Sequence, residues 1–160
     1  MKSDAIDARL PFFLHRKALA LAIAERLCAA EAGLRSAWLG ATPFEHLVID
    51  DLFPAETAVE LHARLPPPES LLALSSLRQR KRVGIEVERY DPAIGEVLFA
   101  FQMREVVEAI ERITGLDCLE PDPSLYASGL SVMVEGGFLN PHLDNSHDGD
   151  QHKYRALNLL

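Results

Sequence analysis

An α+β domain, with N-terminal helices buttressing a β-sandwich or jelly roll, is the fold class this 160-residue sequence predicts. Three observations carry that reading. Apolar residues recur at helical spacing in three stretches before Gly115. After Gly115 the texture changes, and Pro121, Pro123, Gly129, Gly136, Gly137 and Pro141 punctuate short runs rich in Val and Leu. Hydrophobic residues make up 48% and charged residues 25%, an ordinary balance for a globular chain that can bury one core.

Leu19, Ile23, Leu27 and Ala30 form the first helical stripe, with Arg16, Lys17, Glu25 and Arg26 on other faces and Gly33 placed to close the helix. Residues 1–43 are read as this N-terminal helical segment, and 44–160 as part of a second, strand-bearing domain. His46 to Asp50 is a short strand. Pro54 suits the first position of a second helix, whose stripe is Ala58, Leu61 and Leu65 and which Pro66, Pro67 and Pro68 end. A strand is predicted at Val83 to Glu88. A third helix spans about 95–114, where Phe99, Met103, Val106, Ile110 and Ile113 recur at steps of four and three before Gly115 stops it. Leu130 to Glu135 is a strand, followed by a Gly-Gly turn and a strand reaching His142 or just beyond. Arg155 to Leu160 is the next strand, with no turn or cap to end it, which suggests a domain continuing past Leu160.

Charge and cysteine usage exclude several classes. A formal charge of −8 argues against a nucleic-acid binder, which needs clustered cations to neutralise phosphates. The one basic run, Arg78-Gln79-Arg80-Lys81-Arg82, reads as a solvated loop or helix face. Cys28 and Cys118 are widely separated and suggest no disulfide framework, so a reducing, cytoplasmic setting is expected. The apolar run Ala18 to Ala24 sits behind Asp4 and Asp7 and ahead of Glu25-Arg26. It is far shorter than the roughly 20 residues a membrane span requires.

The chemistry concentrates in Asn140 to His152, which holds half of the six histidines. His142 and Asp144 are two positions apart, a spacing that puts both side chains on one face of a strand. Leu143 between them is expected to point into the packed layer. One imidazole nitrogen and one carboxylate suit Fe(II), Mn(II) or Zn(II), and a second histidine from a distant strand would complete a facial triad with three open positions. Alone, the tripeptide is weak evidence and equally fits a polar surface loop. His147 and His152 share the loop with the first pair and are not expected to be ligands.

Several pieces in order then resemble a known family. These are Phe44 to Phe53, Ile113-Thr-Gly115-Leu, Leu119-Glu-Pro-Asp-Pro123, Gly129-Leu, Gly136-Gly-Phe-Leu, Pro141-His-Leu-Asp-Asn145 and Tyr154 to Leu160. Together they resemble the prolyl-4-hydroxylase-like branch of the iron(II)- and 2-oxoglutarate-dependent oxygenases, over about 44–160 and most strongly after 113. The resemblance implies a double-stranded β-helix (a cupin-like jelly roll), Fe(II) on His142 and Asp144, and 2-oxoglutarate and O2 as cosubstrates for hydroxylating an unactivated C–H bond. Related halogenases carry a small residue in place of this carboxylate, so Asp144 favours hydroxylation. The family's second histidine and its basic anchor for 2-oxoglutarate come on later strands, and no residue of this sequence is assigned to either.

Three polar neighbours are secondary candidates. Asn158 is polar within an apolar strand and faces either the cofactor cavity or an edge. Arg155 contacts substrate or pairs with Asp148 or Asp150. Asn145 orients the second ligand or touches substrate. The substrate is expected to be a small molecule or peptide.

Competing readings are fewer. Asp144-x-Ser146-x-Asp148-Gly149 imitates the start of a calcium loop, but Arg155 stands where that loop needs a glutamate. No His-Glu-x-x-His, Cys-x-x-Cys or Gly-x-Ser-x-Gly occurs to support a zinc hydrolase or a serine nucleophile. A non-catalytic cupin-like binding module, or an inactive truncated oxygenase, is the alternative.

Overall fold

A computed structural model describes residues 10–126 and 128–160. Asp4 and Asp7, which precede the first apolar run, lie outside the described residues. The class is α+β, and the described residues form five α-helices and four short strands in one open antiparallel sheet. The chain divides into two compact units. One takes the described residues up to Arg64 together with Pro92–Pro121; the other takes those of Leu65–Asp91 and Asp122–Leu160.

The helical unit comprises α1 (Arg16–Ala29), α2 (Glu31–Gly40), α3 (Ala55–Ala63), α4 (Pro92–Ala100) and α5 (Arg104–Thr114). Its core is the α1 stripe Leu19, Ile23 and Leu27 with Ala20 and Ala24, packed on Ala100 of α4 and on Val106, Ala109 and Ile113 of α5. Burying each leucine, isoleucine or valine of this core contributes about 1.5–3 kcal/mol. Arg16 opens α1 with its backbone N–H and its guanidinium both donating to the Glu96 carboxylate, at 2.6 and 2.9 Å. Gly115, at φ 75°, takes the left-handed conformation that ends α5, as its position in the sequence predicts.

Other expectations need correction. Gly33 does not close the first helix: the chain turns at Ala30, whose N–H bonds back to Leu27 and Cys28, and Gly33 lies inside α2. The helix expected over about 95–114 is two helices, broken at Phe101–Met103, where Met103 is extended (φ −68°, ψ 145°). No glycine or proline marks that break, so periodicity runs through it. Pro54 stands just before α3 rather than in its first turn position. His46 to Asp50 forms no strand: Leu47 and Ile49 pack on the helical core and Val48 is exposed, an alternation kept without a neighbouring strand to pair it.

The sheet unit contains β1 (Leu72–Ser75), β2 (Gln79–Gly84), β3 (Leu130–Val132) and β4 (Phe138–Leu139). β2 is central. β1 pairs with one side of it, from Leu72↔Val83 to Ser75↔Arg80. β3 and β4 both pair antiparallel with β2, at Arg82↔Val132 and Arg80↔Phe138. They run in the same direction along β2, so the Gly136-Gly137 turn is a loop bulging out of one interrupted strand rather than a hairpin between two. Strands therefore do not simply follow helices, since α4 and α5 are inserted between β2 and β3.

The basic run is likewise a strand and not a loop or helix face. Long stems let arginines occupy a sheet, with the charged heads finding partners at its surface. Arg80 lies over the Phe138 ring, 5.9 Å from its centroid, and Arg82 Nη1 donates to the Leu71 carbonyl at 3.3 Å. The strand expected over Val83 to Glu88 ends at Gly84, where a short 3-10 turn at Val87–Arg89 takes over. Leu130 to Glu135 is paired only as far as Val132. No described helix is long and apolar enough to cross a membrane, and Cys28 and Cys118 are both free thiols.

Candidate metal site

The segment carrying His142 and Asp144 leaves the sheet directly after β4. Asn140 is its anchor: the Asn140 N–H donates to the Arg78 carbonyl at 2.9 Å, and its side-chain Nδ2 donates to the Leu77 carbonyl at 2.9 Å. Pro141 follows and biases Asn140 toward extended backbone. The strand expected to reach His142 stops at Leu139, and His142 to Asn145 are irregular. Pro141 has no N–H to continue the ladder. Leu143 is 92% exposed rather than packed, because the segment has left the layer that would have covered it.

The two side chains nevertheless converge. His142 Nε2 lies 3.1 Å from Asp144 Oδ1. His142 Nδ1 is 2.8 Å from the Asn140 carbonyl. A carbonyl only accepts, so Nδ1 carries the proton, and in the neutral ring Nε2 presents a lone pair. That lone pair then faces a carboxylate oxygen, an arrangement that only a proton or a cation between them makes favourable. Bonds of about 2.1 Å to nitrogen and oxygen hold two ligands at right angles ~3.0 Å apart, against ~3.4 Å at a tetrahedral angle. The observed 3.1 Å lies near the octahedral value and is equally the length of a hydrogen bond from a protonated ring. The side chains are 23% and 51% exposed, leaving a path for an ion from solvent.

The other carboxylate oxygen is engaged. Asn158 Nδ2 donates to Asp144 Oδ2 at 2.6 Å, and Arg155 Nη1 donates to Asn158 Oδ1 at 3.3 Å. Asn158 therefore faces the second candidate ligand, and Arg155 pairs with Asn158 rather than with Asp148 or Asp150. Arg155 to Leu160, expected as the next strand, forms no ladder; pairing is limited to a single bridge of His147 with Tyr154. The Arg155 N–H donates to the Ser146 carbonyl at 2.9 Å, and beyond it the segment is tied back by side chains. Asn145 Nδ2 donates to the Tyr126 hydroxyl at 3.4 Å.

His147 is used locally. Its Nδ1 meets Ser146 Oγ at 2.8 Å and its ring stands edge-on to Tyr154, 5.3 Å between centroids. The same loop is closed by Asp148, whose Oδ1 accepts the backbone N–H groups of His152 at 2.7 Å and Lys153 at 3.1 Å. Donation from the Lys153 N–H, opposed by desolvation and reinforced by donation from His152, holds the Asp148 carboxyl below the usual carboxylate range. A carboxyl with a depressed pKa adds stability that is present above its ordinary pKa and is lost as pH falls through the lowered one. The amide resonances of His152 and Lys153 should therefore titrate together with a midpoint beneath the ordinary aspartate range. A midpoint at or above that range would remove Asp148 as the loop's closing group.

Sequence reasoning missed Asn140 and Tyr126. Asn140 was legible only as the residue before a proline, and nothing local announces that Tyr126 meets Asn145. Among the described residues no group of three or more His, Cys, Asp or Glu side chains could hold a metal ion. No protein family, curated protein or solved structure matches the chain.

Proposed function

We propose that this chain supplies His142 and Asp144 as two ligands of Fe(II) in a 2-oxoglutarate-dependent oxygenase that hydroxylates an unactivated C–H bond. The observation that carries the reading is the 3.1 Å approach of Nε2 to Oδ1, with the Nδ1 proton turned away onto the Asn140 carbonyl. With a cation in place of a proton between them, Nε2 and Oδ1 are donors of the kind Fe(II) takes in a facial triad. The small open sheet is read as the first part of a double-stranded β-helix, and the free thiols agree with a reducing, cytoplasmic setting. The net charge of −8 favours a small molecule or peptide over a nucleic acid as substrate.

The chain's own residues have distinct tasks in this reading. The Asn140 carbonyl fixes the imidazole tautomer and plane, as outer-shell acceptors do for metal-bound histidines. Asn158 and Arg155 orient the carboxylate. The chemistry supplied by iron and 2-oxoglutarate, when bound, is activation of O2 for C–H hydroxylation with release of succinate and carbon dioxide.

Anaerobic titration of the chain with Fe(II) and 2-oxoglutarate tests the proposal. The expected result is a weak visible charge-transfer band of the chelate, saturating at one iron per chain, and succinate on admission of O2. Absence of both the band and bound iron would sink it. A second reading, a non-catalytic cupin-like metal- or ligand-binding module or an inactive oxygenase, is favoured by the lack of a three-ligand group among the described residues. Iron bound without the band or succinate would select it.

A further inference from the structure

Arg80, Lys81 and Arg82 lie on β2 and Arg78 just before it, four cations within five positions of a chain whose carboxylates outnumber its cations 24 to 16. Elsewhere arginines find carboxylates: Arg16, Arg64, Arg89, Arg104 and Arg112 each pair with a glutamate. Among the described residues no carboxylate pairs with any of the four cations of the β2 run. Arg80 and Arg82 share one face of the sheet, about 6.8 Å apart along the strand, and repel each other there. Ladders on both sides hold β2 in place, so an anion relieves that repulsion where rearrangement of the strand does not.

β1 lies beside these charges and is an open edge. Among the described residues it pairs with β2 alone, and three of its four residues are exposed. Its sequence Leu-Ala-Leu-Ser offers neither the charge nor the proline that blocks an edge. Ala73 stands directly opposite Arg82, and Ser75 opposite Arg80, on the same face of the sheet. Both are small, so a guanidinium can pass over them. Arg82 already reaches the chain entering β1, where its Nη1 donates to the Leu71 carbonyl at 3.3 Å. Arg80 lies over the Phe138 ring, a contact that an exposed arginine exchanges readily for a carboxylate.

We infer that β1 receives an extended acidic peptide as an added strand, its backbone pairing with the β1 edge and its carboxylates reaching Arg82 and Arg80. Alternate side chains of an extended peptide repeat at the spacing of the two arginines. In strand addition the main-chain bonds supply affinity and the side chains select the sequence. Nucleic acid fits less well, since it has no amide backbone to join the ladder and the net charge of −8 repels a polyanion. The surface uses neither His142 nor Asp144, so it stands independently of any metal.

The test titrates the 160-residue chain into a fluorescently labelled, end-blocked peptide alternating Glu with Thr and follows anisotropy. The peptide should bind, and more weakly as salt rises. Replacing its Glu residues by Gln should weaken binding about tenfold or more, as should Arg82→Gln in the protein, with a smaller loss for Arg80→Gln. Lys81→Gln, on the opposite face of β2, should change affinity less than either. Methylating the peptide's backbone nitrogens removes the ladder donors and keeps every carboxylate, and should also cost about tenfold. Failure of the glutamate peptide to bind would overturn the inference, as would equal binding of its glutamine or backbone-methylated form. A labelled oligothymidylate of the same charge that binds as tightly would overturn it in favour of nucleic acid. If circular dichroism shows that Arg82→Gln does not fold, the changes made in the peptide still decide the outcome.

Discussion

His142→Ala and Asp144→Ala should each abolish the iron–2-oxoglutarate charge-transfer band, while His147→Ala leaves it largely intact. Each of the first two removes one of the two donor atoms that meet at 3.1 Å. The loss should exceed the ~10–100-fold effect of an outer-shell residue, since a ligand and not its support is deleted. Folding should survive. His142 and Asp144 are exposed, and exposed substitutions away from special backbone usually stay within about 0.5 kcal/mol. Asp144→Ala frees the Asn158 amide, but water can replace the lost acceptor at an exposed position. His147 is the informative control because it belongs to the same loop, yet it is occupied by Ser146 and the Tyr154 ring. Iron titration of the three variants decides the matter. A band lost in His147→Ala and kept in His142→Ala would transfer the site to the loop and end the assignment made here.

Gly129→Ala should be the most destabilising small substitution in the sheet unit, by about 3–5 kcal/mol. Gly129 has φ 134°, a conformation open essentially to glycine alone. A Cβ there would stand 2.4 Å from the Gly84 carbonyl oxygen, which is backbone of the central strand and cannot swing aside. The clash falls where β3 joins β2 at Gly84↔Leu130, so relief requires giving up that pairing. Two other glycines separate the causes. Gly136 has φ 74° with nothing within 4 Å of an added Cβ, so Gly136→Ala carries the backbone cost alone, about 1–2 kcal/mol. An added Cβ at Gly84 meets the Tyr90 ring at 2.8 Å, and a side chain can rotate away. Chemical denaturation of the three variants should rank Gly129 well above the others. Equal losses at Gly129 and Gly136 would mean that backbone conformation, not the approach to β2, sets the cost.

Local patterns in the sequence determined a good share of what is seen. The α1 stripe of Leu19, Ile23 and Leu27 is buried as its four-residue steps require, and Gly115 ends α5 because glycine accepts the left-handed conformation there. The two-residue spacing of His142 and Asp144, weak alone, marked them as a pair once the Gly-Gly turn before it and the polar loop after it were read with it. These features depend on residues within a turn or two of one another, which is the range over which periodicity carries information.

Tertiary structure alone decided the rest. Gly33 sits within a helix, the 101–103 break carries no breaker residue, and a run of arginines forms the central strand because Phe138 and the Leu71 carbonyl wait beside it. The i, i+2 reasoning anticipated a strand at His142, yet the side chains meet on irregular backbone. Their geometry comes from the Asn140 carbonyl and from Asn158 reaching back across its loop. Strand partners and hydrogen-bond acceptors far along the chain leave no trace in a local window, because what selects them is the free energy of satisfying every polar group once distant segments have come together.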